Sequence, residues 1–109
     1  MNYRVRVAPE FFFQLDAQLP SDRRGVIPSR SDFQARELLR LVRAFEEDWD
    51  KLPRLPGHER YRLLIVAGQL VRAISVTGRM ANDGVVELFQ ISLDLSPLPD
   101  QEHEENPGE

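Results

Sequence analysis

The stretch ERYRLLIVAGQLVRAISVTGRMANDGVVELFQISLDL, residues 59–95, decides the fold. It holds three apolar runs, Arg60–Val66, Leu70–Thr77 and Val85–Leu95, with short turns between them. Runs of this length, rich in Val, Ile and Leu and bounded by Gly, Asn and Asp, read as strands joined by hairpins. Ala67-Gly68-Gln69 is a tight hairpin turn, and Asn82-Asp83-Gly84 is a strong turn signal, because all three residue types accept turn conformations at low cost. Tyr61–Val66 is apolar on both sides apart from Arg62, as expected of a central strand covered by helices on one face. In the last run Phe89, Ile91, Leu93 and Leu95 alternate with Gln90, Ser92 and Asp94, placing the two sets on opposite faces. Pro97 and Pro99 stop it. The expectation is a three-stranded antiparallel meander.

Upstream, Tyr3, Val5 and Val7 alternate with Arg4 and Arg6, the pattern of a half-buried strand. Ala8-Pro9-Glu10 opens a short helix, since Pro is tolerated in a first turn and an acid there suits the positive end of the helix dipole. Phe12, Leu15 and Leu19 recur at helical spacing. Phe11-Phe12-Phe13 is too broad to face one core, so one ring is expected to be partly buried under the long loop or, as the alternative, exposed at an interface. Residues 21–32 read as a polar loop. Ser31 is placed to cap the next helix, with Gln34 completing a capping box. Leu38, Leu41, Val42, Phe45 and Trp49 then form one apolar stripe, which predicts a helix from Asp32 to Trp49. Pro53 and Pro56-Gly57 enforce a loop. The expected fold class is α+β in the order β-α-α-β-β-β, with two N-terminal helices packed on an antiparallel sheet.

The chain has 109 residues, which argues for a single domain over 1–99. Its formal net charge of −4 conceals a division. Residues 100–109 carry five acids and no Lys or Arg, which leaves 14 basic and 13 acidic residues in the body. That tail is too polar to offset its ordering entropy and is expected to be disordered. No apolar run approaches the ~20 residues that span a bilayer, and the alternating N-terminus is not a signal peptide. The absence of cysteine excludes disulfides and thiolate metal sites. A cytoplasmic protein without membrane contact fits these features.

Familiar catalytic motifs are missing: no Gly-rich phosphate loop, no nucleophile elbow and no paired-His metal motif. No metal site and no cofactor are expected. His58 lies in a Pro-Gly loop beside Glu59, and an imidazole with its ordinary pKa near ~6.5 serves as acid or base. His103 falls in the acidic tail. The remaining candidate is a cluster of arginines, Arg54, Arg60, Arg62, Arg72 and Arg79, all from the meander or the loop before it. Such a face could hold a phosphate chain and position a scissile bond. The plain reading beside it is that these arginines pair with Glu37, Glu46, Glu59 or Glu87 and solvate the sheet. Glu46-Glu47-Asp48 and Asp50 form an acidic end to the second helix, ordinarily a solvated face.

Three segments carry a family resemblance. Tyr3-Arg4-Val5-Arg6-Val7-Ala8-Pro9-Glu10-Phe11, then Leu55-Pro56-Gly57-His58-Glu59-Arg60-Tyr61-Arg62-Leu63-Leu64-Ile65, then Leu70–Thr77 with Gly78-Arg79, together resemble the RelE/ParE-like toxins of bacterial toxin–antitoxin modules. The resemblance covers about residues 3–95. It implies a toxin neutralised by a small antitoxin protein. It also implies either metal-independent cleavage of messenger RNA on the ribosome or inhibition of DNA gyrase. By position, Arg62 and Arg79 look like the phosphate-stabilising residues of the cleaving branch, with His58 or Glu59 as acid–base partners. Arg54, Arg60 and Arg72 look like further RNA or phosphate contacts. Two departures stand out. The body is nearly neutral, and the end of the final strand, Asp94-Leu95-Ser96-Pro97, has no Tyr or His. These departures favour a second expectation, a non-catalytic protein-interaction module that pairs through an apolar last strand at the sheet edge.

Overall fold

The computed structural model describes residues 2–96. Strand β1 (Val5–Val7) leads through Ala8 into helix α1 (Pro9–Gln18). A long helical segment follows, built from α2 (Arg30–Phe33), a π-helical stretch Gln34–Leu38, α3 (Leu39–Asp48) and a closing 3-10 turn Trp49–Lys51. Then come β2 (Arg54–Leu55), β3 (His58–Ala67), β4 (Ala73–Met80) and β5 (Val86–Asp94). The strands form one sheet in the order β1-β5-β4-β3-β2. No helix among the described residues is long and apolar enough to cross a membrane. The acidic segment 100–109, expected to be disordered, lies outside the described residues.

The architecture corrects the expected one. The fold is α+β, with its helices C-terminal to the first strand. The sheet is mixed, because β1 runs parallel to β5, with Val5 opposite Val86 and Val7 opposite Leu88. A fifth strand, β2, also joins β3 through Arg54 and Leu55. Alternation in Tyr3–Val7 marks a strand but carries no information about its direction, which is set by partners some 80 residues away. As a consequence β5 lies inside the sheet, between β1 and β4, and is not the edge strand that the interaction reading required.

Strand β1 covers only the first three residues of β5. Beyond it, two side chains of α1 take over the ladder. The Gln14 amide donates to the Phe89 carbonyl (3.1 Å) and accepts from the Ile91 N–H (2.8 Å). One helical turn later Gln18 donates to the Ile91 carbonyl (2.9 Å) and accepts from the Leu93 N–H (2.8 Å). A primary amide carries the same donor and acceptor as a peptide group. The two glutamines therefore extend a three-residue strand and keep the edge of β5 from solvent and from stray pairing.

The helical layer packs on one face of the sheet. Phe11, Leu15, Phe33, Leu41 and Phe45 are fully buried against Ile74, Val76, Val86 and Leu88. Phe45 approaches so closely that a Cβ on Gly78 would lie 2.8 Å from its ring, which explains a glycine inside β4. Of the three consecutive phenylalanines, Phe11 is buried, Phe12 is half-buried and Phe13 is 72% exposed.

The long helix starts two residues earlier than the sequence suggests. Ser29, not Ser31, is its N-cap: the Ser29 hydroxyl accepts from the Asp32 N–H and the Asp32 carboxylate accepts from the Ser29 N–H, each at 3.1 Å. Arg23 fixes the choice by bonding the same Asp32 oxygen at 3.0 Å. The π-helical stretch turns Glu37 inward until it is fully buried. Its carboxylate accepts from the N–H groups of Gln69 (2.6 Å) and Leu70 (2.8 Å) in the β3–β4 turn and from Arg40 (2.7 Å). A π-bulge adds a residue to the helix, and here that residue re-aims a carboxylate at the sheet.

Two outcomes test these fastenings. Replacing Glu37 by Met keeps the length but orphans two turn N–H groups, each costing about 1–3 kcal/mol when buried. Urea unfolding of Glu37→Met should show a loss of at least about 2 kcal/mol. The Arg23 guanidinium and the Ser29 N–H lower the Asp32 carboxyl from 3.8 to about 2. Its folded pKa lies below the unfolded one, so its contribution to stability is complete above pH 3.8 and disappears as pH falls through about 2. Arg23→Ala should raise the Asp32 pKa toward 3.8 in a carboxyl NMR titration.

Candidate functional site

Strand register sorts the candidate arginines onto two faces. Arg62 pairs with Gly78 across β3 and β4, and Gly78 pairs with Leu88 on β5, so all three face the helices. Tyr61 pairs with Arg79, and Arg79 with Glu87, so these three face the opposite side, which no helix covers.

Arg62 is therefore inside the protein, 9% exposed. Its Nη1 donates to the carbonyls of Trp49 (3.0 Å), Asp50 (3.1 Å) and Leu52 (2.9 Å), the carbonyls left over where the long helix ends. The guanidinium also lies over the Trp49 ring, 5.2 Å from its centre. A positive group at the negative end of a helix, held by three acceptors, is a strut between helix and sheet. The structure thus gives Arg62 a fastening role in place of the phosphate contact expected of it.

The uncovered face carries a row of rings. His58 stacks on Tyr61 with centroids 5.0 Å apart and planes 12° from parallel. Tyr61 meets Phe89 edge to face at 5.2 Å. The Arg79 guanidinium lies over Phe89, 4.5 Å from the ring centre. Arg79 also bonds Glu87 at 2.8 Å and lies 3.8 Å from Glu10. Glu87 is shared with Arg6 at 3.0 Å, and Arg6 holds Asp83 at 2.8 Å. Arg6 and Arg79 together hold the Glu87 carboxyl below the usual carboxylate range, and Glu87 raises the Arg79 guanidinium in turn. Both groups stay charged under all ordinary conditions.

The other candidates scatter. Arg60 donates to Asn82 at 2.7 Å in the β4–β5 turn. Arg54 is exposed on β2, opposite Arg62 in register. Glu59 is exposed beside His58. Arg72 is not on a strand but in the turn before β4, where its N–H donates to the Asp94 carbonyl at 3.1 Å. Of the seven candidates, His58 and Arg79 belong to the ring row.

Strict alternation puts Phe89 on one face with Ile91 and Leu93, and the structure separates them. The register shifts between Thr77 and Gly78: Thr77 faces Gln90 and Gly78 faces Leu88, so Phe89 is the extra residue of a bulge. A bulge reverses the phase of the residues around it. Val86 and Leu88 point inward before it, Ile91 and Leu93 after it, and Phe89 is free to face out. The three-residue step from Leu88 to Ile91 was a visible break in the period of two. Tyr61 was equally open to inference, since alternation places it opposite Arg62.

Among the described residues no group of three or more His, Cys, Asp or Glu is arranged to hold a metal ion. Comparison with protein-family models, with curated proteins and with solved structures finds no match to the chain.

Arg62→Ala should destabilise the fold, because it strips three helix-end carbonyls of the charged Nη1 whose two N–H groups they share, a charged hydrogen bond contributing about 1.5–3 kcal/mol. Thermal unfolding followed by circular dichroism should show a clear drop in midpoint. Arg54→Ala, at an exposed position, should leave the midpoint within measurement error.

Proposed function

We propose that this protein is the toxin component of a toxin–antitoxin module, acting as a metal-independent endoribonuclease on messenger RNA at the ribosome. The observation that carries the reading is the row His58, Tyr61 and Phe89 with Arg79 on the helix-free face of the sheet. One exposed ring, His58, and two half-buried ones, Tyr61 and Phe89, beside a fixed cation suit single-stranded RNA, whose unstacked bases lie on rings and whose phosphates seek guanidinium groups. The likeness of the strand and loop segments to RelE/ParE-like toxins supports the same reading, and a small antitoxin is the partner it implies.

In this mechanism Tyr61 and Phe89 hold two bases apart, and Arg79 bonds the phosphate between them. The ribose 2′-oxygen attacks that phosphorus while the bond to the 5′-oxygen breaks, giving a 2′,3′-cyclic phosphate and a free 5′-hydroxyl. One proton leaves the 2′-hydroxyl and one reaches the 5′-oxygen. His58, with Glu59 beside it in sequence, is the group proposed to exchange them. Arg79 stabilises the extra negative charge of the pentacoordinate state. To bind phosphate it must share or exchange its bond to Glu87, and Arg6 remains to hold that carboxylate.

A second reading rests on a different observation. Strand β2 and Pro53 cover β3 only as far as Leu63, where the Leu63 N–H donates to the Pro53 carbonyl at 3.0 Å. Among the described residues no strand pairs with the outer edge from Leu64 to Ala67, and Ile65 there is 63% exposed. A non-catalytic module, or a toxin directed at gyrase, would use this edge to take a partner's strand.

The deciding experiment adds the purified chain to a cell-free translation reaction. The expected result is arrest with cut messenger, and loss of cutting by a factor of about 10²–10³ in Arg79→Ala, the usual cost of removing one transition-state donor. Phe89→Ala should weaken binding of single-stranded RNA by about 1–3 kcal/mol. Continued synthesis and intact messenger with folded protein would overturn the nuclease reading and favour the β3 edge.

A further inference from the structure

A basic path runs across the helical side of the molecule, away from the ring row. It begins where the described chain ends. Leu95 lines a groove of about 300 Å³ together with Leu19, Ile27 and Arg24. A second groove of about 240 Å³ lies beside the same loop, lined by Val26, Leu70 and Arg36. Arg36 also opens a third, of about 510 Å³, along the outer side of α3, with Leu39, Arg40, Arg43 and, as its one acid, Glu47; Asp32 in the second groove is already paired with Arg23.

Two features make the path unusual. The guanidinium groups of Arg24, Arg36 and Arg43 have no partner among the described residues. Val26 and Leu39, at 63% and 58% exposure, are large apolar side chains left open on it. The cations of the opposite face are in a different condition. Arg79 and Arg6 already hold Glu87, Glu10 and Asp83, and Arg60 holds Asn82.

The chain itself contains a segment of matching chemistry. Thirteen residues follow Ser96, and they carry five carboxylates, no Lys or Arg, and one apolar residue, Leu98, set between two prolines. We propose that this segment, residues 97–109, docks along the basic path of its own chain, with Leu98 at the apolar grooves and the carboxylates on Arg36 and Arg43. An extended segment of this length reaches about 43 Å, and the span from Arg36 to Arg43 is about 10 Å of helix. Attachment at Ser96 keeps the local concentration of the segment in the range of about 1 mM, so pairs too weak to hold a free peptide still populate the docked state. Docked there, the segment neutralises a surface that would otherwise attract nucleic acid or acidic proteins without selectivity. It leaves the ring row open, and the inference stands whether or not that row cleaves RNA.

The test uses the full chain. It has no cysteine, so Gln101→Cys accepts one nitroxide label. The expected result is paramagnetic broadening of amides between Ala35 and Ala44. That broadening should fall by at least half as ionic strength rises from about 0.05 M to about 0.5 M. It should vanish in a chain that also carries Arg36→Glu and Arg43→Glu, both exposed positions whose replacement leaves the circular dichroism spectrum unchanged. Broadening of Thr77, Gly78 and Arg79 instead would place the segment on the sheet face and overturn the proposal. So would no broadening above background. A sample mixing labelled chains with isotope-enriched unlabelled chains separates contact within a chain from contact between copies, and broadening in that mixture would also overturn it.

Discussion

The Arg62 guanidinium, driven into the interior from β3, decides which face of the sheet can act. Its three bonds to the carbonyls of Trp49, Asp50 and Leu52 tie the end of the long helix to the middle of the sheet. At the other end of the same strand Glu37 performs the converse task, drawing the β3–β4 turn to the helix through two N–H groups. A buried charge is tolerated where hydrogen bonds offset its desolvation. Glu37 spends both oxygens, on the two turn N–H groups and on Arg40, while Arg62 gives Nη1 to the three carbonyls and its Nε finds no partner among the described residues. Helix and sheet are thus fastened by a cation at one end and an anion at the other, with Phe45 seated on Gly78 between them. The opposite face is left without a helix over it, with Tyr61, Arg79 and Phe89 half-buried there.

The exposed face is held in shape by different means. Arg6, Glu87, Arg79 and Glu10 form a chain of charges across β1, β5, β4 and the start of α1. Pairs of this kind at a surface contribute little to stability. Their effect is geometric: Arg79 is kept over Phe89, and the ring row keeps its spacing. The bulge at Phe89 supplies the remaining ring. A sheet without that extra residue would have buried Phe89 and left the row broken after Tyr61.

Edges receive unequal treatment. The glutamines of α1 close the outer side of β5 with side-chain amides, and Pro53 with β2 closes the beginning of β3. The stretch from Leu64 to Ala67 has no such cover, although Arg40 reaches the Ala67 carbonyl at 3.1 Å. Uncharged edges of this kind are ordinarily blunted, and this contrast within one sheet is what gives the interaction reading its weight.

Much of the local structure was legible in the chain. The apolar runs of residues 59–95 specify strands, Asn82-Asp83-Gly84 specifies their turn, and the stripe from Leu38 to Trp49 specifies a helix, because each pattern depends on neighbours within a few residues. Gly84 takes φ 82° in that turn, as its type allows. What the tertiary structure alone decided involves distant partners. The parallel pairing of β1 rests on β5, the cap at Ser29 rests on Arg23, and the π-bulge rests on the need of Gln69 and Leu70 for an acceptor. The functional surface divides along the same line. Arg62 and Arg79 look equivalent in sequence, each an arginine on a β-strand, and register sends one to the core and the other to the open face. An odd or even offset across a hairpin is a property of the pairing, and no single strand contains it.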